Sequence, residues 1–196
     1  SLTDPDNNIV FTTGPAGTGK TLISTLYAIR EFRAGRVDKI IITRPAVSVD
    51  EQHGFLPGTL VEKMAPWTRP IFDIFDQFYH PKEMEYLVEN NKIEVAPLAY
   101  MRDSTFKDAI ILADEMQNAT QEQMKMLLTR IGDNSKLIVT GDLNQHDRGY
   151  NDNGLKDFLT RIRDVKSERI SLIEFDHTQI ERHPAVAEVL KIYKAF

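Results

Sequence analysis

The sequence predicts an α/β fold, a mostly parallel sheet with helices on both faces, and three observations predict it. Short apolar, β-branched runs alternate along the chain with amphipathic stretches of helical period, as strands buried on both faces alternate with helices. One such run leads straight into a glycine-rich loop, Gly14-Pro15-Ala16-Gly17-Thr18-Gly19-Lys20-Thr21, and the loop leads straight into a helical stretch. Two later runs end in acidic residues, at Asp114-Glu115 and at Gly141-Asp142, and parallel sheets gather their ligands at strand carboxyl ends.

The bulk properties bound the rest. A chain of 196 residues, 41% hydrophobic and 27% charged, is most simply one domain with a substantial core. No apolar run approaches a membrane span and the opening residues do not read as a signal peptide, so no membrane partner is expected. Zero cysteines exclude disulfides and thiolate metal sites and fit a reducing compartment, so a cytoplasmic location is expected. A formal charge of −5 argues against a nucleic-acid binder driven by bulk charge, although a local basic strip stays open. The histidines are scattered without metal-ligand spacing, and none is expected to bind a metal.

Taken in order, Ile9–Thr13 reads as a short buried strand and Leu22–Ala34 as a helix that Gly35 ends. Lys39–Thr43 is a second buried strand, with Arg44-Pro45 at its carboxyl end. Gly54-Phe55-Leu56-Pro57-Gly58 is a turn-rich loop, and Pro66 and Pro70 punctuate Lys63–Pro70. Ile71–Tyr79 and Lys82–Glu89 read as short helices. Phe72, Phe75 and Phe78 form a face that packs on the sheet, with a stacking platform for bases as the alternative. Strands follow at Ile93–Pro97 and Ala109–Ala113. Thr120–Ile131 is the clearest helix, with a Thr120/Gln123 capping box, an apolar face of Met124, Leu127, Leu128 and Ile131, and Gly132 as its stop. Lys136–Thr140 is a strand, Asn153–Arg163 a helix, Ile170–Phe175 a last strand and Ala185–Tyr193 a final helix.

The loop has a mechanism in this setting. Its glycines let backbone N–H groups turn inward around phosphate oxygens, and the helix amino end adds a favourable partial charge. Lys20 would reach the β- and γ-phosphates of a nucleotide and the Thr21 hydroxyl would coordinate Mg²⁺. Asp114 would hold the same ion, mostly through its hydration shell, and Glu115 is placed to orient or deprotonate an attacking water. A flexible glycine loop and a solvated acidic strand end are the plain alternatives. Gln145, in Thr140-Gly141-Asp142-Leu143-Asn144-Gln145, can bond the γ-phosphate or that water, or can be a turn glutamine. Arg182, in Glu181-Arg182-His183-Pro184, is a candidate arginine finger or a surface residue capping a turn.

Beyond these motifs the chain resembles the PhoH (phosphate-starvation-inducible) ATPases, relatives of superfamily-one helicase cores. The resemblance rests on Gly14–Thr21, Thr43-Arg44-Pro45-Ala46-Val47, Gly54–Gly58, Glu62–Pro70, Pro97–Arg102, Ala109–Asn118, Glu122–Gly132, Val139–Gln145 and Arg182-His183-Pro184. It implies a RecA-like sheet with ATP at its rim, Mg²⁺ dependence and hydrolysis, and it makes Arg44 and Arg102 counterparts of elements that touch nucleic acid. Two departures stand out. The family usually has a glycine and an arginine after Met101-Arg102, where this chain has Asp103-Ser104, which weakens any grip of that loop on a phosphate backbone. Related helicases also read adenine with a glutamine upstream of the first strand, and the few residues before Ile9 leave no place for it. The expectation is one phosphate-loop domain over 1–196, a fragment of a longer protein without its amino-terminal region.

The expected function is ATP hydrolysis coupled to RNA or other single-stranded nucleic acid. Such helicases use two sheet domains, so subunit association, in a homo-oligomer such as a ring, would supply the missing wall here. Arg182 would then come from the neighbour or from the same chain. A small-molecule kinase is one alternative, and Glu115 and Gln145 speak against it because both suit water activation. A nucleotide-gated binding module with little turnover is the other.

Overall fold

Six strands form one sheet, and every pairing in it is parallel. They are β1 (Ile9–Thr13), β2 (Lys39–Arg44), β3 (Ile93–Pro97), β4 (Ala109–Ala113), β5 (Lys136–Gly141) and β6 (Ile170–Glu174). Their spatial order is β3-β2-β4-β5-β1-β6. The structure, a computed structural model, describes residues 2–45, 60–145 and 152–176. The helices among these are α1 (Lys20–Arg33), α2 (Leu60–Phe75), α3 (Pro81–Glu89), α4 (Gln121–Leu128) and α5 (Gly154–Ile162). The expected Gly54–Gly58 loop and Ala185–Tyr193 helix lie outside the described residues.

Alternation along each strand builds two cores. Phe11, Ile41, Ile111, Leu137 and Val139 point to one face, against Met124 and Leu127 of α4 and Leu155 and Leu159 of α5. Ile40, Ile42, Ile110, Leu112 and Ile138 point to the other, against Ala28 and Ile29 of α1, Ile71 and Phe75 of α2 and Met84 of α3. Each large side chain so buried contributes about 1.5–3 kcal/mol. Burial on both faces is why these strands are apolar without interruption in the sequence. The doubly wound α/β fold is therefore present, and its sheet is parallel throughout the described strands.

Two elements differ from expectation. The prolines of Lys63–Pro70 do not break the chain, because α2 runs through both from Leu60 to Phe75. An interior proline costs about 3 kcal/mol. Met64, Thr68, Ile71, Ile74 and Phe75, however, form a buried stripe at helical spacing, while Pro66 and Pro70 face solvent, where water can serve the carbonyls that lose their partners. That helix stops at Phe75, short of Tyr79, leaving Phe75 fully buried, Phe72 packed against the same core and Phe78 exposed. Helix α4 also ends early, at Leu128 rather than Ile131. The Thr129 hydroxyl donates to its own helix at Lys125 O and Met126 O, and Ile131 leaves to bridge Phe106. The Phe106 N–H bonds Arg130 O at 2.9 Å and the Gly132 N–H bonds Phe106 O at 2.7 Å, so the backbone that would extend the helix is already paired.

Candidate nucleotide-phosphate site

Parallel strands put every carboxyl end on one rim, and the order places β5 between β1 and β4. The glycine-rich loop leaves β1 at Gly14. Its φ is +146°, and a Cβ there would lie 2.5 Å from the Phe175 carbonyl oxygen, so only glycine passes between β1 and the end of β6. The loop closes on itself through the Thr18 hydroxyl, which donates to Pro15 O at 2.8 Å. Gly19, left-handed at φ +81°, turns the chain into α1 with no side-chain cap and no acid in the first turn. The first amide groups of α1 thus keep their donors for a ligand, at the end where the helix favours an anion.

Lys20 folds back into the loop, where its ammonium donates to Gly14 O at 2.6 Å and Pro15 O at 2.8 Å. Burial pushes the Lys20 ammonium below its ordinary value, while the carboxylates of Asp142, Glu115 and Asp114 pull it back up. One cation from α1 therefore faces three carboxylates from the ends of β4 and β5.

Asp114 is anchored by its N–H on Thr43 O at 3.0 Å and is 9% exposed. Its Oδ1 accepts from the Thr21 hydroxyl at 3.2 Å and, closely, from the Thr140 hydroxyl on β5. A hydroxyl and a carboxylate brought this close are hard oxygen donors of the kind Mg²⁺ takes, with the remaining positions left to water and phosphate oxygens. The residues present fit the ion.

Glu115 stands in the left-handed region (φ 54°, ψ 38°) at the start of a 3-10 turn over Met116–Asn118. Its carboxylate lies 3.7 Å from Arg44 at the end of β2. Arg44 also donates to Trp67 O at 2.8 Å and lies over the Trp67 ring at 5.6 Å. On the other side, Gln117 Nε2 donates to Glu115 Oε2 at 2.5 Å, and Gln117 Oε1 accepts from the Asp142 N–H at 3.1 Å.

Lys20, Thr21, Asp114 and Glu115 thus converge, and Arg44 joins them through Glu115. Gln145 sits just beyond, exposed, with its N–H closing a turn on Asp142 O at 3.1 Å. Arg102 stands apart, because it follows β3, four strand spacings or roughly 19 Å from β1. It is solvent-exposed and pairs with Glu122 at 3.4 Å. Arg182 lies outside the described residues. Sequence reasoning missed Gln117, Thr140 and Asp142 as site residues. Thr140 and Asp142 carried a signal in the strand-end run, whereas nothing in its spacing marked Gln117. A cavity of about 1100 Å³ between α5 and β6 holds none of this chemistry.

Residues 1–194 match the family model described as PhoH-like protein. The PhoH-like protein of Bacillus subtilis (strain 168) is 45% identical over 189 residues, covering 95% of this chain and 58% of its own length. That of Synechocystis sp. (strain ATCC 27184 / PCC 6803 / Kazusa) is 42% identical, covering 96% of this chain and 57% of its own length. Protein PhoH of Escherichia coli (strain K12) is 41% identical, covering 94% of this chain and 52% of its own length. The chain spans just over half the length of these curated relatives. Among solved structures, the crystal structure of the Pyrococcus furiosus Hef helicase domain matches with a TM-score of 0.47 and 15% identity, covering 88% of this chain and 37% of that one. That likeness is too loose to bear on function.

Proposed function

Because the chain belongs to the PhoH-like protein family, we propose that it binds ATP with Mg²⁺ and hydrolyses it at the rim built from Gly14–Thr21, Asp114 and Glu115. The observation that carries this reading is the contact of Thr21 with Asp114 beside Lys20, with a second carboxylate, Glu115, held by different partners, Arg44 and Gln117. Phosphate oxygens enter among the amide groups of the loop, and the Lys20 ammonium exchanges its carbonyl contacts for them. Thr21 and Asp114 would hold Mg²⁺, which would supply neutralisation of the charge developing on the phosphates. Glu115 orients water on the γ-phosphate and takes its proton. A kinase would instead exclude water and orient an acceptor hydroxyl, a task that Glu115 and Gln145 do not suit. Gln145 reports on the γ-phosphate, and Arg182, from the same subunit or a neighbour, supplies the finger that speeds phosphoryl transfer.

Turnover is coupled to RNA or another single-stranded nucleic acid, with Arg44 and Arg102 as the candidate contacts; the solvent-exposed Arg102 would exchange its Glu122 partner for a backbone phosphate. The subunits associate so that each completes its neighbour's nucleotide pocket. The test is phosphate release from ATP with and without single-stranded RNA and DNA at low salt, on a chain including its native flanking regions. Steady release without an acceptor, raised by RNA, is expected. Rates indifferent to both polymers, with no binding at low salt, would overturn the coupling. ATP binding without release would turn the reading into a nucleotide-gated module.

A further inference from the structure

We infer that Gln117 is a positioning residue for Glu115, tying the water-activating carboxylate to the end of β5. The inference rests on the hydrolysis reading above.

Glu115 is not held by the sheet itself. It lies one residue past Asp114, in a left-handed conformation, so its side chain leaves from a turn and needs outside groups to fix it. Two groups reach it. Arg44 approaches Oε1 at 3.7 Å, too far for a hydrogen bond, while its guanidinium is committed to Trp67 O at 2.8 Å. Gln117 donates to Oε2 at 2.5 Å and is the only hydrogen-bond donor to that carboxylate among the described contacts.

Gln117 itself has no freedom. It is 2% exposed, and its two ends have partners of opposite kind. The Glu115 carboxylate can only accept and the Asp142 N–H can only donate, which settles the amide orientation: Nε2 to Glu115, Oε1 to Asp142. The slot is tight as well. A Cβ on Gly141 would lie 3.0 Å from Gln117 Oε1 and 2.4 Å from Leu155 Cδ2, so the glycine ending β5 leaves the space that the amide fills. A rigid link thus runs from Asp142, through Gln117, to the carboxylate of Glu115. Asp142 is also the residue whose carbonyl receives the Gln145 N–H and whose Oδ1 receives the Asn144 N–H at 2.9 Å. The loop that carries Gln145 and the carboxylate on the water therefore share one anchor. Without Gln117, Glu115 loses that hydrogen bond and keeps only the longer-range pull of the cations near it, Arg44 at 3.7 Å and Lys20.

Two variants separate positioning from scaffolding. Gln117→Glu still accepts from the Asp142 N–H, so the fold keeps its tie, but it replaces the donor to Glu115 with a like charge. Gln117→Ala removes both bonds. For each, ATP turnover is measured beside binding of a non-hydrolysable ATP analogue, with thermal unfolding as a check on folding. The expected result is a fall in kcat of about tenfold to a hundredfold, the loss that a misplacement of about 1 Å causes, with analogue Kd unchanged within about threefold. In a double-mutant cycle, Gln117→Ala should cost nothing further once Glu115→Gln is present, because the two act as one unit. An unchanged kcat in Gln117→Glu, or an equal loss on both backgrounds, would overturn the inference while leaving hydrolysis standing. A wild-type chain that releases no phosphate would remove the hydrolysis reading, and the inference with it.

Discussion

Asp114 and Glu115 are neighbours in sequence with opposite surroundings, and the difference is in their partners. Asp114 is closed in by two hydroxyls, from Thr21 and Thr140, and is nearly buried. Glu115 is turned by its left-handed backbone toward Arg44 and Gln117 and stays partly open. The function proposed above gives the first acid to the metal and the second to the water. Elsewhere, a carboxylate serves structure only. Glu31 near the end of α1 is gripped by Arg36 through Nε at 2.5 Å and Nη2 at 2.9 Å. These bonds hold its carboxyl below the ordinary value of 4.5, with burial opposing them and Arg30 adding to them. A depressed carboxylate stabilises the fold fully above the unfolded value and loses that contribution as pH falls through the folded value. Arg36→Ala should therefore lower stability at neutral pH, with the gap from wild type closing in acid, below about 4.5. Denaturant midpoints measured across that range check it, and a gap constant with pH would contradict it.

At the scale of elements, legibility followed how local the signal was. The loop, the strands and the capping box at Thr120 were readable because each is a short pattern with its own chemistry. The box is present in full: Thr120 Oγ1 accepts from the Gln123 N–H at 3.1 Å, and Gln123 Oε1 accepts from the Thr120 N–H at 3.0 Å. The two helix boundaries that differed were decided by tertiary partners. Pro66 and Pro70 look like breakers until α2 is seen to bury its opposite stripe, and Ile131 looks helical until Phe106 claims its neighbours' backbone. Gln117 was illegible for the same reason, since its meaning comes from Asp142, just past the end of β5. Thr120→Ala should cost about 1 kcal/mol by removing one cap. Gly154→Ala should cost more, about 1–3 kcal/mol, from overpacking. Its Cβ would lie 2.3 Å from Thr120 O and 2.9 Å from Met124 Cβ, where α5 presses on the start of α4. Urea denaturation orders the two, and Gly154→Ala as stable as wild type would contradict the close packing.

On the scale of the molecule, strand order makes the site. With β5 set between β1 and β4, Thr140 lies between the phosphate loop and Asp114 and can bond the latter. The same order holds Arg102 at the β3 edge, away from the loop. One sheet thus offers a phosphate end with its charges in place and, some distance off, a basic residue open to solvent. What holds the base and what completes the pocket are proposed to lie outside this rim, in flanking regions or a neighbouring subunit; the chain spans just over half the length of the curated relatives it matches.

The central claim is that this rim hydrolyses ATP with Glu115 acting on the water. Comparing wild type with Glu115→Gln for both ATP binding and single-turnover phosphate release tests it most directly. The account predicts that Glu115→Gln binds ATP as tightly as wild type and releases phosphate about a hundredfold to ten-thousandfold more slowly. Equal rates of release from the two proteins would contradict it.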